Sequence, residues 1–221
     1  MNYATYRLTQ DPLMPAVVHI GTLSTPVWLQ QRWDTGEYAF YIRRNGCGHC
    51  CAAMAASLHG TPLNPHQEYE LCRSIWGAPV ELPDEKGQDH FQSATGITRI
   101  LQTLHIPAEP FGAKEQGTKS ATAHILQALK EGKQVIFASD PDDYPDNPFS
   151  TGYHWVLAVG FYDDEHILIA NSSEKAAQNG IQLVTADIIE KALFVNSTVA
   201  SDLTWGELER LYEGCGYIVI G

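Results

Sequence analysis

The chain has 221 residues, 44% of them hydrophobic and 18% charged, with a formal net charge of −12. That is material for one sizeable core, and no long tract is too polar to fold. The longest basic run is Arg43-Arg44, so nucleic acid and anionic membrane surfaces are disfavoured as partners, and the acidity reads as solubility with at most a mild attraction for basic peptides.

No apolar stretch approaches the length of a membrane span. The opening residues, MNYATYRLTQDPLMPAVVHI, lack the basic start and apolar run of a signal peptide. Five cysteines without a spaced framework are expected as free thiols in a reducing compartment, which points to the cytoplasm. Along the chain, Val17–Ile20 and Pro26–Leu29 read as short strands, followed by a polar loop through Asp34–Glu37. Residues 48–59, rich in Ala with a Met, predict the clearest helix, and Gly60 is its natural stop. Residues 65–76 predict a second helix with Pro65 in its first turn, and 79–95 a loop. Further helices are expected over 97–104 and 121–131, the latter closed by Gly132. The pattern then changes to strands at 134–138, 154–161, 167–170, 181–184 and 217–220, with a turn at Asp163-Asp164-Glu165. Short helices are expected at 185–194 and 204–213. Helices first and strands later predict an α+β fold, N-terminal helices packed on a C-terminal antiparallel sheet, in a single domain spanning 1–221. No repeat or linker divides the chain.

The stretch RRNGCGHCCAAMAASLHG, residues 43–60, carries the chemistry. Cys47 stands at the head of the Ala-rich helix, where unpaired N–H groups and the helix dipole favour a thiolate. Gly48 beside it allows a bound carbonyl to come close to the backbone. Cys50, Cys51, Cys72 and Cys215 are expected to be packing residues. The letters Cys47-Gly48-His49-Cys50 also spell a disulfide-exchange motif. The residues ahead of it, Arg43 to Gly46, are polar and turn-like, where thioredoxin-like folds have a core strand. A metal site from Cys47, His49, Cys50 and Cys51 is disfavoured, because those ligands crowd one helical turn.

A cysteine nucleophile needs a base and the base an orienting group. Of nine histidines, His154 is the one at the mouth of the most hydrophobic strand. Asn171 ends the next strand, and a short turn between the two strands brings the pair together. An Asn oxygen accepts an imidazole N–H and fixes its tautomer.

Three segments together resemble the papain-like cysteine peptidases, and within them the C39-like group. They are Gly46-Cys47-Gly48 with the following Ala52-Ala53-Met54-Ala55, then Gly152 to Gly160 (GYHWVLAVG), then the acidic turn and Ile167 to Asn171. The resemblance covers residues 26–172. It departs at His49-Cys50, where the group commonly has Pro-Thr or Pro-Ala, and at Asn171, where it usually has Asp. It implies a papain-like fold and a peptide or protein substrate. It implies Cys47 as nucleophile, His154 as base, Asn171 as orienting residue and Gln30 as oxyanion donor, with Gln31 next to it as the alternative. It implies no metal and no organic cofactor. Two other readings stay open: thiol-disulfide exchange through Cys47 and Cys50, and an inactive peptide-binding domain of the same fold.

Overall fold

A computed structural model of the chain describes residues 16–28, 42–44, 46–76, 94–112, 117–139, 144–173, 180–193 and 216–221. It opens with a hairpin of β1 (Ala16–Ile20) and β2 (Leu23–Val27). The two-residue turn Gly21-Thr22 is possible because Gly21 takes a φ of 57°, the sign that tight hairpin turns need. Pro26 sits inside β2, opposite Val17. A two-stranded hairpin tolerates it because each strand has one unpaired side.

Three helices follow: α1 (Cys47–Leu58), α2 (Pro65–Trp76) and α3 (Ala94–Thr103). Then come β3 (Ala108–Gly112), α4 (Thr118–Lys130), β4 (Gln134–Ser139), β5 (His154–Phe161), β6 (Ile167–Ala170), β7 (Ile181–Val184), α5 (Ala186–Ala192) and β8 (Gly216–Ile220). Strands β3 to β8 form one six-stranded sheet in the order β3-β8-β4-β5-β6-β7. Every pairing in it is antiparallel. The α+β class expected from the sequence is the class observed.

The helices cover both faces of the sheet. Ile136, Ala138, Trp155, Leu157, Leu168, Ala170, Ile218 and Ile220 pack with α1, α3 and the hairpin. The alternate residues Val135, Phe137, Val156, Ala158, Ile167, Ile169 and Tyr217 pack with α4 and α5. This strict alternation, with both faces buried, explains why β4, β5 and β6 read as continuous apolar runs. Helix α1 lies in the middle of the first layer. Its residues Cys47 to Ala56 are all buried, as expected of a helix apolar on every side. Their small side chains let neighbouring elements approach closely.

Two elements depart from expectation. Strand β3 has no counterpart in the sequence reading, because Pro110 in its centre argues against a strand. It exists because β3 is an edge strand, paired only with β8, where the missing N–H costs no ladder bond. Strand β2 begins at Leu23 rather than at Pro26. The expected helix at 204–213, the polar loop at Asp34–Glu37, Leu29, and most of the 79–95 loop lie outside the described residues. No described helix is long and apolar enough to cross a membrane.

Candidate active site

Cys47 is the first residue of α1. A close approach of backbone to backbone falls at Gly46, the residue before Cys47. A Cβ on Gly46 would stand 2.5 Å from the Ile42 carbonyl oxygen and 2.8 Å from Ile42 Cα. The Gly46 N–H donates to that same carbonyl at 2.8 Å, so a short helical lead-in (42–44) runs tightly into α1. No side chain caps Gly46 and no acidic residue occupies the first turn. The nearest described carboxylate comes from outside the helix: Glu68 of α2 bonds His49 in the first turn of α1, and its charge adds to burial in disfavouring the thiolates of Cys50 and Cys51.

Helix α1 packs on β5. Cys47 is 7% exposed and shares a buried cluster with Trp155 and Leu157 of that strand. Cys47 and Cys50 are three residues apart, hence on one side of the helix. Cys50 is hydrogen-bonded to Ser172, the residue after Asn171. That bond ties the Cys47 side of α1 to the end of β6.

At that end the structure brings His154 and Asn171 together. His154 Nε2–H donates to Asn171 Oδ1 at 2.8 Å, and the side chains are 4% and 0% exposed. A β-bulge makes this contact possible. Leu157 pairs with Ala170 and Ala158 with Ile169, but Gly160 pairs with Leu168, so Val159 is an extra residue on β5. Continuing the register sets Asn171 opposite Val156, on the same face as His154. Without the bulge Asn171 would lie opposite Leu157 and point to the other side, since a one-residue slip exchanges the faces.

The amide of Asn171 has a single workable orientation. Its Nδ2 donates to the Phe149 carbonyl at 3.0 Å and to Gln182 Oε1 at 2.8 Å. Its Oδ1 also accepts from the Ser173 N–H at 2.8 Å. Gln182 is itself anchored, donating from Nε2 to the Pro148 carbonyl at 2.7 Å. With two carbonyl acceptors at Nδ2, the oxygen must face His154. The imidazole then carries its proton on Nε2 and keeps Nδ1 as the basic nitrogen. The sequence reading did not single out Gln182. Its signal was an amide within the apolar run Ile181 to Val184, beside the strand that ends at Asn171.

Burial lowers the pKa of His154 from 6.5 to about 4, although its bond to Asn171 pulls the other way. At neutral pH the isolated imidazole is uncharged and able to accept a proton. Burial, then the charge of Cys47, raises the Cys50 thiol far above its ordinary range, and Cys51 behaves likewise. Cys47, Cys50, Cys51 and Cys72 are all free thiols. As expected, Cys50, Cys51 and Cys72 are fully buried. Gln30, Gln31 and Cys215 lie outside the described residues.

Among the described residues one group has the composition of a metal site. It is His49 of α1 with Glu68 and Cys72 of α2, not the cysteines around Cys47.

A family model described as the Peptidase_C39 like family matches residues 23–194. Among solved structures, the peptidase domain of Streptococcus ComA, a bi-functional ABC transporter involved in a quorum-sensing pathway, is 11% identical. That similarity covers 78% of this chain and 88% of the other, with a TM-score of 0.43. A C39-like peptidase candidate from Bacillus anthracis is 14% identical over 80% of this chain and 88% of its own, with a TM-score of 0.46. No curated protein matches the chain.

Proposed function

The chain belongs to the Peptidase_C39 like family, and on that premise we propose that it is an active cysteine peptidase, formed by one domain over its whole length. Cys47 attacks the carbonyl carbon of a peptide or isopeptide bond. His154 Nδ1 takes the thiol proton and later delivers it to the leaving amine, and water then hydrolyses the acyl-enzyme. Asn171 holds the imidazole in the required tautomer. Gln30 and the backbone N–H of Cys47 bind the oxyanion, where losing one donor typically costs about 3 kcal/mol.

The observation that carries this reading is the His154–Asn171 bond. With Nε2 committed to Asn171, Nδ1 is the nitrogen left to serve a thiol. The pair sits at the start of β5 on the Val156 face, while Cys47 packs against Trp155 and Leu157, so in this reading the imidazole meets the thiol around the strand end. The head of α1 adds support, because the N–H groups and dipole at a helix start favour a thiolate at its first residue, Cys47. The disulfide-exchange reading gains nothing from the site. Cys47 and Cys50 are both free thiols, with no bridge between them, and Cys50 is fully buried. The free thiols fit a reducing compartment such as the cytoplasm.

The test is the alkylation rate of Cys47 by iodoacetamide as a function of pH, read by mass spectrometry in wild type and His154→Ala. The reading expects rapid alkylation of Cys47 well below pH ~7, lost in His154→Ala. A Cys47 that titrates like a free thiol near ~8.5 in both proteins overturns it.

A further inference from the structure

Three buried side chains take no part in that chemistry. His49 on α1 is 1% exposed, and Glu68 and Cys72 on α2 are 0% exposed. Glu68 and Cys72 are four residues apart, so they share one face of α2, and that face meets α1 at His49. His49 Nδ1 is hydrogen-bonded to Glu68 Oε2. Cys72 Sγ lies 3.4 Å from Glu68 Oε1 and 3.9 Å from His49 Nδ1. One ligand atom from each residue lies within 4.8 Å of the others. The ring of Tyr69 stands edge-on to His49, with centroids 4.9 Å apart, and fixes the plane of the imidazole.

Two physical arguments bear on this cluster. The first is spacing. Bond lengths of about 2.0–2.3 Å around a tetrahedral zinc ion set its ligand atoms roughly 3.3–3.8 Å apart. Both distances from Cys72 Sγ already lie close to that range. Only the direct His49–Glu68 contact has to open, by a small rotation of the Glu68 carboxylate. The second is charge. A buried carboxylate is costly without full compensation. One carboxylate, one thiolate and one neutral imidazole balance a divalent cation, so the buried complex is neutral.

We propose that His49, Glu68 and Cys72 bind a divalent cation of the zinc type, which clamps α1 to α2 behind the helix that carries Cys47. The mixed nitrogen, oxygen and sulfur donors select zinc over calcium or magnesium, which take oxygen ligands. The ion replaces the proton between His49 and Glu68, which moves to Nε2 of the imidazole. Cys72 loses its thiol proton to solvent as the metal–sulfur bond forms. Water or a backbone carbonyl completes the tetrahedron. The site is independent of the peptidase reading and stands or falls without it.

The test is metal content and cobalt spectroscopy on the full chain, purified without a metal-affinity step. Wild type and Cys47→Ser are both expected to retain about one zinc per chain, and Cys72→Ser to retain little. Zinc-free wild type titrated with Co2+ should develop a thiolate-to-cobalt charge-transfer band, which needs no variant to fold. Zinc at about 100–1,000 times its dissociation constant should raise the Tm by roughly 5–15 °C over the chelated protein. Wild type that retains no zinc and gives no such band overturns the proposal. Loss of the metal in Cys47→Ser also overturns it, by assigning the ion to Cys47.

Discussion

The state of His154 makes a pH prediction with a definite sign. Folding lowers its pKa from 6.5 to about 4, mainly through burial. At 1.36 kcal/mol per unit, the neutral form contributes about 3 kcal/mol to stability. Between those two values the unfolded chain binds a proton that the folded chain does not. The contribution is therefore complete above pH 6.5 and lost as the pH falls to about 4. Carboxylates titrate in the same window, so the measurement is a difference. Urea unfolding of Cys47→Ser is compared with Cys47→Ser/His154→Gln from pH ~7.5 down to ~4. The stability gap between them should close by about 3 kcal/mol. A gap that stays constant shows that His154 is not held neutral by burial and refutes the reasoning. The same titration, followed by NMR of the imidazole in the Cys47-containing chain, measures the proposed partner. A thiolate nearby raises the His154 pKa above its value in Cys47→Ser, and equal values would remove the ion pair.

Three further outcomes follow from the geometry. Gly46→Ala forces a Cβ onto the backbone of Ile42, which cannot yield as a side-chain tip can. It should cost about 1–3 kcal/mol, seen as a Tm lowered by several degrees, and a wild-type melt would contradict the close packing. Gln182→Leu removes one of the two acceptors of Asn171 Nδ2. The fold should persist while kcat falls about tenfold with little change in KM, the size expected for one buried hydrogen bond. An unchanged kcat would mean that the Phe149 carbonyl alone orients Asn171. Cys50→Ser should keep peptidase activity within about threefold, at some cost in stability from a hydroxyl in the core. Its abolition would revive the exchange reading through Cys47 and Cys50.

The layers of the fold were legible because they rest on local pattern. Ala-rich residues 48–59 read as a helix, and Gln134 to Ala138, His154 to Phe161 and Ile167 to Ala170 as strands; that helices cover both faces of the sheet shows only in the structure. Strand β3 was hidden because Pro110 gives the same signal at a sheet edge as in a loop. Only the pairing with β8, more than a hundred residues along the chain, tells them apart. The candidate site divides the same way. His154 and Asn171 announced themselves as polar residues at the ends of consecutive apolar strands. That expectation said nothing about which face each side chain takes. The answer depends on Val159, an unremarkable apolar residue whose bulge shifts the β5–β6 register by one. Gln182 was hidden because its role requires Pro148 and Phe149 to come within hydrogen-bond reach. The buried trio shows the limit most clearly. Reading His49 beside its sequence neighbours Cys47, Cys50 and Cys51 gave a crowded single turn with no geometry for a metal. The partners that matter, Glu68 and Cys72, stand one turn apart on the next helix. Spacing within α2 pairs those two, and only the packing of α1 against α2 brings the imidazole between them.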